Sequence, residues 1–289
     1  MTQMRERSVQ CIHPGGMHRM AFTEWGDPTN PRVLICVHGL TRCGRDFDDL
    51  AAAMSDHYRV VCPDVAGRGQ SEWLPDPIMY SLQQYGADMM ALLTLLAPQT
   101  LDWVGTSMGG LIGMGIAAQA NSPIHKLVLN DVGPVITAVS LQRIGQYLGN
   151  APRFNTYAEG EAFVRMTSPG FGALTDAQWQ HLSTHVLHRA DDGKFEFLYD
   201  PAIAESFSQA LVASGGLDIE LWPLYDMVSC PTLLLRGANS DLLTRETAQA
   251  MTQRGPKAQL VEIDGVGHAP SLMPAAQIEI VKGFLLAGS

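Results

Sequence analysis

Near the middle of the chain a serine is flanked two residues away on each side by glycine, in Gly105-Thr106-Ser107-Met108-Gly109. A short strand pattern, 101–104, precedes it, and a helical run, 110–120, follows. A serine held at a tight strand-to-helix turn is forced into strained backbone geometry, and small residues two positions away let the turn close. Such a turn pushes the hydroxyl out above the sheet. The N-terminus of the next helix offers it free N–H groups that suit a developing anion. The competing reading is a glycine-rich turn with a bystander serine. A serine hydroxyl is a weak nucleophile, so the choice rests on whether a base and an orienting acid exist for it.

Of nine histidines, His268 in Gly265-Val266-Gly267-His268-Ala269-Pro270 is the candidate base. It follows the strand pattern 259–263 on a glycine-flanked loop that can present an imidazole to a neighbouring strand's turn. His13, His18, His57 and His125 read as surface groups. His38 reads as a brace for its own loop. His181, His185 and His188 have the i, i+4, i+7 spacing of a helix face that could hold a metal, but a solvated face is the plainer reading and no metal is expected. The acid should lie between Ser107 and His268. Asp241, after the strand pattern 232–236, is favoured. Asp131, in Leu129-Asn130-Asp131-Val132-Gly133, is the rival, also just past a strand. Either could instead be a helix cap or turn aspartate.

Acyl transfer also needs donors for the tetrahedral oxyanion. The backbone N–H of Met108 is one candidate. The second is that of Leu40, in His38-Gly39-Leu40-Thr41, where Gly39 would allow close approach. Arg42 and Arg45 could meet a substrate carboxylate; capping the helix at 47–54 is their plainer role.

These residues need a frame that gathers strand ends. Residues 33–37, 59–62, 126–129 and 232–235 are near-continuous apolar runs, as a parallel sheet covered on both faces requires. Helical patterns at 47–54, 84–96 and 281–286 alternate with them. An open, doubly wound, mostly parallel α/β sheet follows. Between 134 and 222 the strand rhythm stops and helical runs at 141–148, 157–166, 176–188 and 203–211 take over. That gap is too long for one crossover. It predicts a helical cap, with 1–133 and 223–289 forming the core. Trp73, Trp103, Met108, Phe154, Trp179 and Trp222 are apolar material for a pocket beneath it, though most should be core.

Composition narrows the partners. The 289 residues are 46% hydrophobic and 17% charged, with a formal net charge of −10. A folded core is expected, and nucleic acid or an anionic membrane is not. The polar opening, Met1 to Ser8, does not look like a signal peptide, and no apolar run reaches the ~20 residues of a membrane span. The five cysteines show no C-x-x-C and read as free thiols in a reducing cytoplasm.

His38-Gly39, the run from Asp64 through Gly67-Arg68-Gly69 to Ser71, Gly105-Thr106-Ser107-Met108-Gly109, Asp241 and His268 together resemble the α/β-hydrolase superfamily, and most of all its capped single-domain bacterial members. The resemblance runs from about Met20 to Phe284. It implies hydrolysis of a small carboxylic ester without a cofactor. Ser107 would attack, His268 relay the proton, Asp241 orient it, and the Leu40 and Met108 amides hold the oxyanion. Relatives with an aspartate nucleophile, the dehalogenases and epoxide hydrolases, do not fit Ser107. Carbon–carbon hydrolases of ring-fission diketones usually carry a glycine/proline-rich loop after the His-Gly, where this chain has Leu40-Thr41-Arg42-Cys43-Gly44-Arg45. That activity remains the alternative, beside cofactor-free dioxygenases, perhydrolases and a ligand-binding member without catalysis. Oligomeric state and natural substrate have no signature in the sequence.

Overall fold

The computed structural model describes residues 4–150 and 152–288. The hairpin β1 (Arg5–His13) and β2 (Gly16–Trp25) leads to β3 (Arg32–Val37), α1 (Asp48–Met54), β4 (Arg59–Pro63), α2 (Leu82–Leu96), β5 (Thr100–Thr106), α3 (Met108–Ala117) and β6 (Ile124–Asn130). An insertion follows, with β7 (Val135–Ile136), α4 (Ala138–Tyr147), α5 (Tyr157–Thr167), α6 (Asp176–Thr184), β8 (Leu187–Arg189), β9 (Phe195–Phe197), α7 (Ile203–Ala213) and β10 (Ile219–Glu220), and α8 (Trp222–Asp226) packs back onto the core. The chain then returns through β11 (Thr232–Gly237), α9 (Arg245–Met251), β12 (Gln259–Ile263) and α10 (Ala275–Leu286).

Eight strands form one sheet in the order β1-β2-β4-β3-β5-β6-β11-β12. From β4 to β12 neighbours run parallel, and β1 and β2 are antiparallel additions at one edge. Successive strand side chains point to opposite faces. Val33, Ile35 and Val37 of β3 accordingly join Met89 and Leu92 of α2 and Ile112 of α3 in one core. Leu34 and Cys36 join Leu50 and Met54 of α1 and Val281 and Leu285 of α10 in the other. Burial on both faces explains why these strands read as unbroken apolar runs. It also explains why β1 was not foreseen: most of its residues are exposed or half-buried, so its sequence shows no apolar run.

The insertion has its own small core, in which Phe154, Val164, Trp179, Leu182 and Leu187 meet Cys43 and Met273 from the sheet layer. Threonines start three of its helices: Thr137, Thr156 and Thr175 each accept a backbone N–H in the first turn. It is less purely helical than its sequence suggests. β8 pairs with β9, and β7 pairs with β10 across Val135↔Glu220 and Ile136↔Ile219, closing the neck where the chain leaves and re-enters. Helix α6 stops at Thr184, so His188 falls in β8 rather than on the helix of His181 and His185. Among the described residues, no helix is long and apolar enough to cross a membrane. All five cysteines are free thiols.

Candidate active site

Ser107 sits between β5 and α3 with φ 52° and ψ −115°, outside the regions that side-chain-bearing residues favour. The flanking glycines are there for space. A Cβ on Gly105 would lie 2.3 Å from the Gly109 carbonyl oxygen, and one on Gly109 would lie 2.0 Å from that of Val37. The buried Trp103 indole donates to the Gly109 carbonyl at 3.1 Å, pinning the start of α3 to its preceding strand. Ser107 occupies the N-cap position without making a side-chain cap bond, which leaves its hydroxyl for another partner.

That partner is His268. Its Nε2 lies 3.0 Å from Ser107 Oγ, and its Nδ1 lies 2.8 Å from a carboxylate oxygen. The carboxylate belongs to Asp131, not to Asp241. Asp131 is fully buried at the end of β6, next to the strand that carries Ser107. Besides His268 it accepts Gly237 N–H at 2.9 Å and Ser240 Oγ–H at 2.6 Å. The loop after β11 thus turns Ser240 inward onto Asp131. The next residue, Asp241, faces outward, exposed and paired with Arg143 of α4 (Nε to Oδ2 2.9 Å). With Asp131 accepting the Nδ1–H, the Nε2 lone pair faces the serine, the tautomer a general base needs.

The loop after β3 lies against this group. The space where a Cβ of Gly39 would stand is 3.8 Å from Ser107 Cβ, ordinary contact, so close approach is not what glycine serves there. The buried His38 braces the loop as expected. Its Nδ1–H donates to the Gly39 carbonyl at 2.7 Å, and its Nε2 accepts Val65 N–H at 2.9 Å. Burial pushes its pKa down to about 4, so it is a neutral strut at physiological pH. Among the described residues no group takes up the N–H of Leu40 or of Met108. Both amides are unspent beside Ser107. A residue whose role the sequence did not disclose holds this arrangement. Arg68 is wholly buried and donates to the carbonyls of Leu40 (2.8 Å) and Ala66 (2.7 Å) and to Tyr85 Oη (2.8 Å), over the rings of Tyr80 and Tyr85.

Ser107 and His268 open into a cavity of about 220 Å³ between the sheet and the insertion. Its apolar wall comes from Ile144, Phe163, Phe171, Phe197 and Tyr199, not from the tryptophans. Trp103 is core, Trp73 is exposed, and Trp179 stacks on Phe171 from within the insertion. Arg42 does line the cavity, but Asp46 holds it in two bonds of 2.7 and 2.6 Å. Arg45 lies outside it and pairs with the Asp48 side chain at the start of α1; it does not cap that helix, whose N-cap Phe47 makes no side-chain cap bond. The insertion also touches the His268 loop directly, through Gly267 N–H to the Gly170 carbonyl at 2.8 Å.

The remaining histidines depart from expectation in part. His57 and His125 are exposed, whereas His13 and His18, within the β1–β2 hairpin, are buried. His181 and His185 are half-buried against the turn that leads into α1; His181 Nε2 lies 3.0 Å from the Arg45 carbonyl. Two groups bring metal-type donors together: Cys11, His18 and Asp88, and Asp48, His181 and His185. In each the carboxylate is already engaged, Asp88 by His18 and Gln84 and Asp48 by Arg45.

Comparisons with known proteins agree with this fold. The sequence profile of the alpha/beta hydrolase family matches residues 34–280. The chain is 49% identical over 282 residues to a 3-hydroxybutyrate-oligomer hydrolase of Cupriavidus necator, covering 96% of each. It is 28% identical over 282 residues to an esterase of Mycobacterium tuberculosis, covering 96% of this chain and 89% of that one. Among solved structures, a Rickettsia typhi protein described as a hydrolase superposes with a TM-score of 0.91 at 30% identity, over 99% of this chain and 100% of that one. The parallel sheet, the serine turn at the end of β5 and a profile match across most of the sequence make this chain a member of the alpha/beta hydrolase family, a hydrolase of that fold.

Proposed function

We propose that the protein is a serine ester hydrolase acting on short hydroxyacid esters, with oligomers of 3-hydroxybutyrate as the substrate class. The observation that carries this reading is the continuous relay from Ser107 through His268 to Asp131, opening into a cavity between the sheet and the insertion. The likeness to a 3-hydroxybutyrate-oligomer hydrolase supports the choice of substrate.

In this reading Ser107 Oγ attacks the ester carbonyl as His268 Nε2 takes its proton. Buried Asp131 stabilises the imidazolium that forms. The carbonyl oxygen, now an anion, accepts from the N–H groups of Leu40 and Met108. His268 then gives the proton to the departing alkoxide oxygen, and the acyl group stays on Ser107. A water enters, loses its proton to His268 and attacks the acyl carbon; collapse returns the proton to Ser107 and frees the acid. The chain and water supply every group in this scheme, so no cofactor is invoked. The 134–222 insertion acts as the cap that closes the pocket over a small-molecule substrate. The five free thiols suit a reducing cytoplasm.

The test is release of 3-hydroxybutyrate from its dimer by the wild-type protein and by Ser107→Ala, beside labelling with a fluorophosphonate probe. Ser107-dependent release with labelling at Ser107 is expected. Absence of Ser107-dependent turnover on the dimer and on p-nitrophenyl acetate, together with no labelling, would overturn the reading.

A further inference from the structure

The cavity wall contains a cation whose counter-ion is free to leave. Two arginines line the cavity. Arg42 is locked: Asp46 grips it with two bonds, both side chains are mostly buried, and its guanidinium lies over the Phe171 ring at 5.6 Å. Arg143 is also held by two bonds, Nε to Asp241 Oδ2 at 2.9 Å and Nη2 to Oδ1 at 3.2 Å, but in the open, with its side chain 42% exposed. It projects from α4, which turns Arg143, Ile144 and Tyr147 toward the same cavity at one-turn spacing. Its partner Asp241 is 56% exposed and stands outside the cavity, on the loop after β11. An ion pair this open to water is weak and screened by salt. A carboxylate entering the cavity can therefore take the guanidinium fork from Asp241, losing only a few-fold in affinity to the competition.

We propose that Arg143 is the receptor for the substrate's free carboxylate and that Asp241 is its resident competitor, filling the fork until substrate arrives. The inference rests on the ester-hydrolase reading, because a hydroxyacid oligomer ends in the carboxylate that Arg143 would take. The ligand class is a small ester bearing one carboxylate, with its aliphatic part against Ile144 and Phe163 and its charge at the cavity's solvent edge. The exchange also gives Asp241 a role other than orienting a catalytic histidine.

The experiment compares the 3-hydroxybutyrate dimer with its terminal carboxamide, an uncharged substrate with the same scissile ester. The readout is the ratio of kcat/KM for acid over amide. The wild type should prefer the acid, and the preference should shrink as salt is raised. Arg143→Gln should lower the ratio at least tenfold, mainly through KM of the acid, and Arg143→Lys should restore part of it. Asp241→Asn should raise the ratio severalfold by removing the competitor. A ratio unchanged in Arg143→Gln, or lowered in Asp241→Asn, overturns the proposal and leaves the pair as a strap between insertion and sheet. Ser107-dependent turnover of the amide keeps the two readings apart. If the amide is cleaved but the wild-type ratio is near one, the carboxylate receptor fails alone. If neither compound is cleaved and Ser107 is unlabelled, the hydrolase reading fails and the receptor falls with it.

Discussion

Replacing Asp131 by asparagine separates the two aspartates that the sequence left in competition. The native carboxylate has no exposure and accepts three hydrogen bonds, from Gly237 N–H, Ser240 Oγ–H and His268 Nδ1–H. Asparagine has nearly the same shape but only one acceptor atom. If its oxygen stays with the Gly237 amide, its NH2 group meets His268 Nδ1 and needs an acceptor there. His268 then settles with its proton on Nε2, so a hydrogen instead of a lone pair faces Ser107 Oγ across 3.0 Å. The serine loses its base, and the imidazolium loses the charge that stabilises it. Wrong-tautomer substitutions of this kind lower kcat by about ten-thousandfold, or about 5.5 kcal/mol of barrier. The assay is steady-state hydrolysis of p-nitrophenyl acetate, with thermal unfolding to show that the variant is folded. Asp131→Asn is expected to lose three to four orders of magnitude in kcat while remaining folded, whereas Asp241→Asn keeps at least a tenth of wild-type turnover. Folded Asp131→Asn with a tenth or more of wild-type kcat would refute this reasoning. So would a thousandfold loss in Asp241→Asn.

Other consequences follow from the same frame. Gly105→Ala places a methyl 2.3 Å from the Gly109 carbonyl oxygen, backbone against which nothing flexible can yield; destabilisation of at least about 3 kcal/mol in urea unfolding is expected, with loss of fluorophosphonate labelling. Arg68→Met removes the donor to the Leu40 carbonyl and frees the loop that presents the Leu40 amide; kcat should fall about ten- to a hundredfold with KM little changed, and an unaltered kcat would deny Arg68 any positioning role. Stability against pH tests two buried groups of opposite sign. Burial lowers His38 from 6.5 to about 4, so the unfolded chain binds its proton more tightly and stability rises with pH across that window. Burial raises Asp64 from 3.8 to about 6, against the N–H bonds from Gly44 and Gln70, so the folded state binds the proton more tightly and stability falls as pH climbs across its window. Each effect is worth about 3 kcal/mol, and between pH 4 and 6 they largely cancel. Asp64→Asn removes the falling component, so its stability relative to wild type should improve by about 2 kcal/mol from pH 4 to pH 6 in urea titrations; a constant difference across that range would count against the assignment.

Local constraints were legible and long-range orientation was not. Gly105 and Gly109 appear in the sequence because a turn five residues long has no room for their side chains, and that steric fact needs no knowledge of the rest of the chain. The apolar runs of β3, β4, β6 and β11 are equally local, since two-sided burial writes itself into each strand. His268 was found by its place after the last strand. The cavity wall was not found: Ile144, Phe163 and Phe197 come from separate elements of the insertion, and only packing makes them neighbours.

The acid shows where the line falls. Asp131 and Asp241 both stand just past the end of a parallel strand, and hydropathy treats them alike. Two three-dimensional facts decide between them. The strand order β5-β6-β11-β12 puts the end of β6 directly beside the serine turn and one strand further from the end of β12 than that of β11. At Asp131 the backbone turns to φ 55°, a conformation aspartate tolerates better than most side chains, which leaves its carboxylate within reach of Gly237 N–H, Ser240 Oγ and His268. Once Ser240 has bonded to Asp131, the following residue is directed out toward α4, and Asp241 can reach only Arg143. The one-residue difference between facing the histidine and facing the insertion is set by hydrogen bonds between loops 106 and 109 residues apart in sequence, which no local pattern encodes.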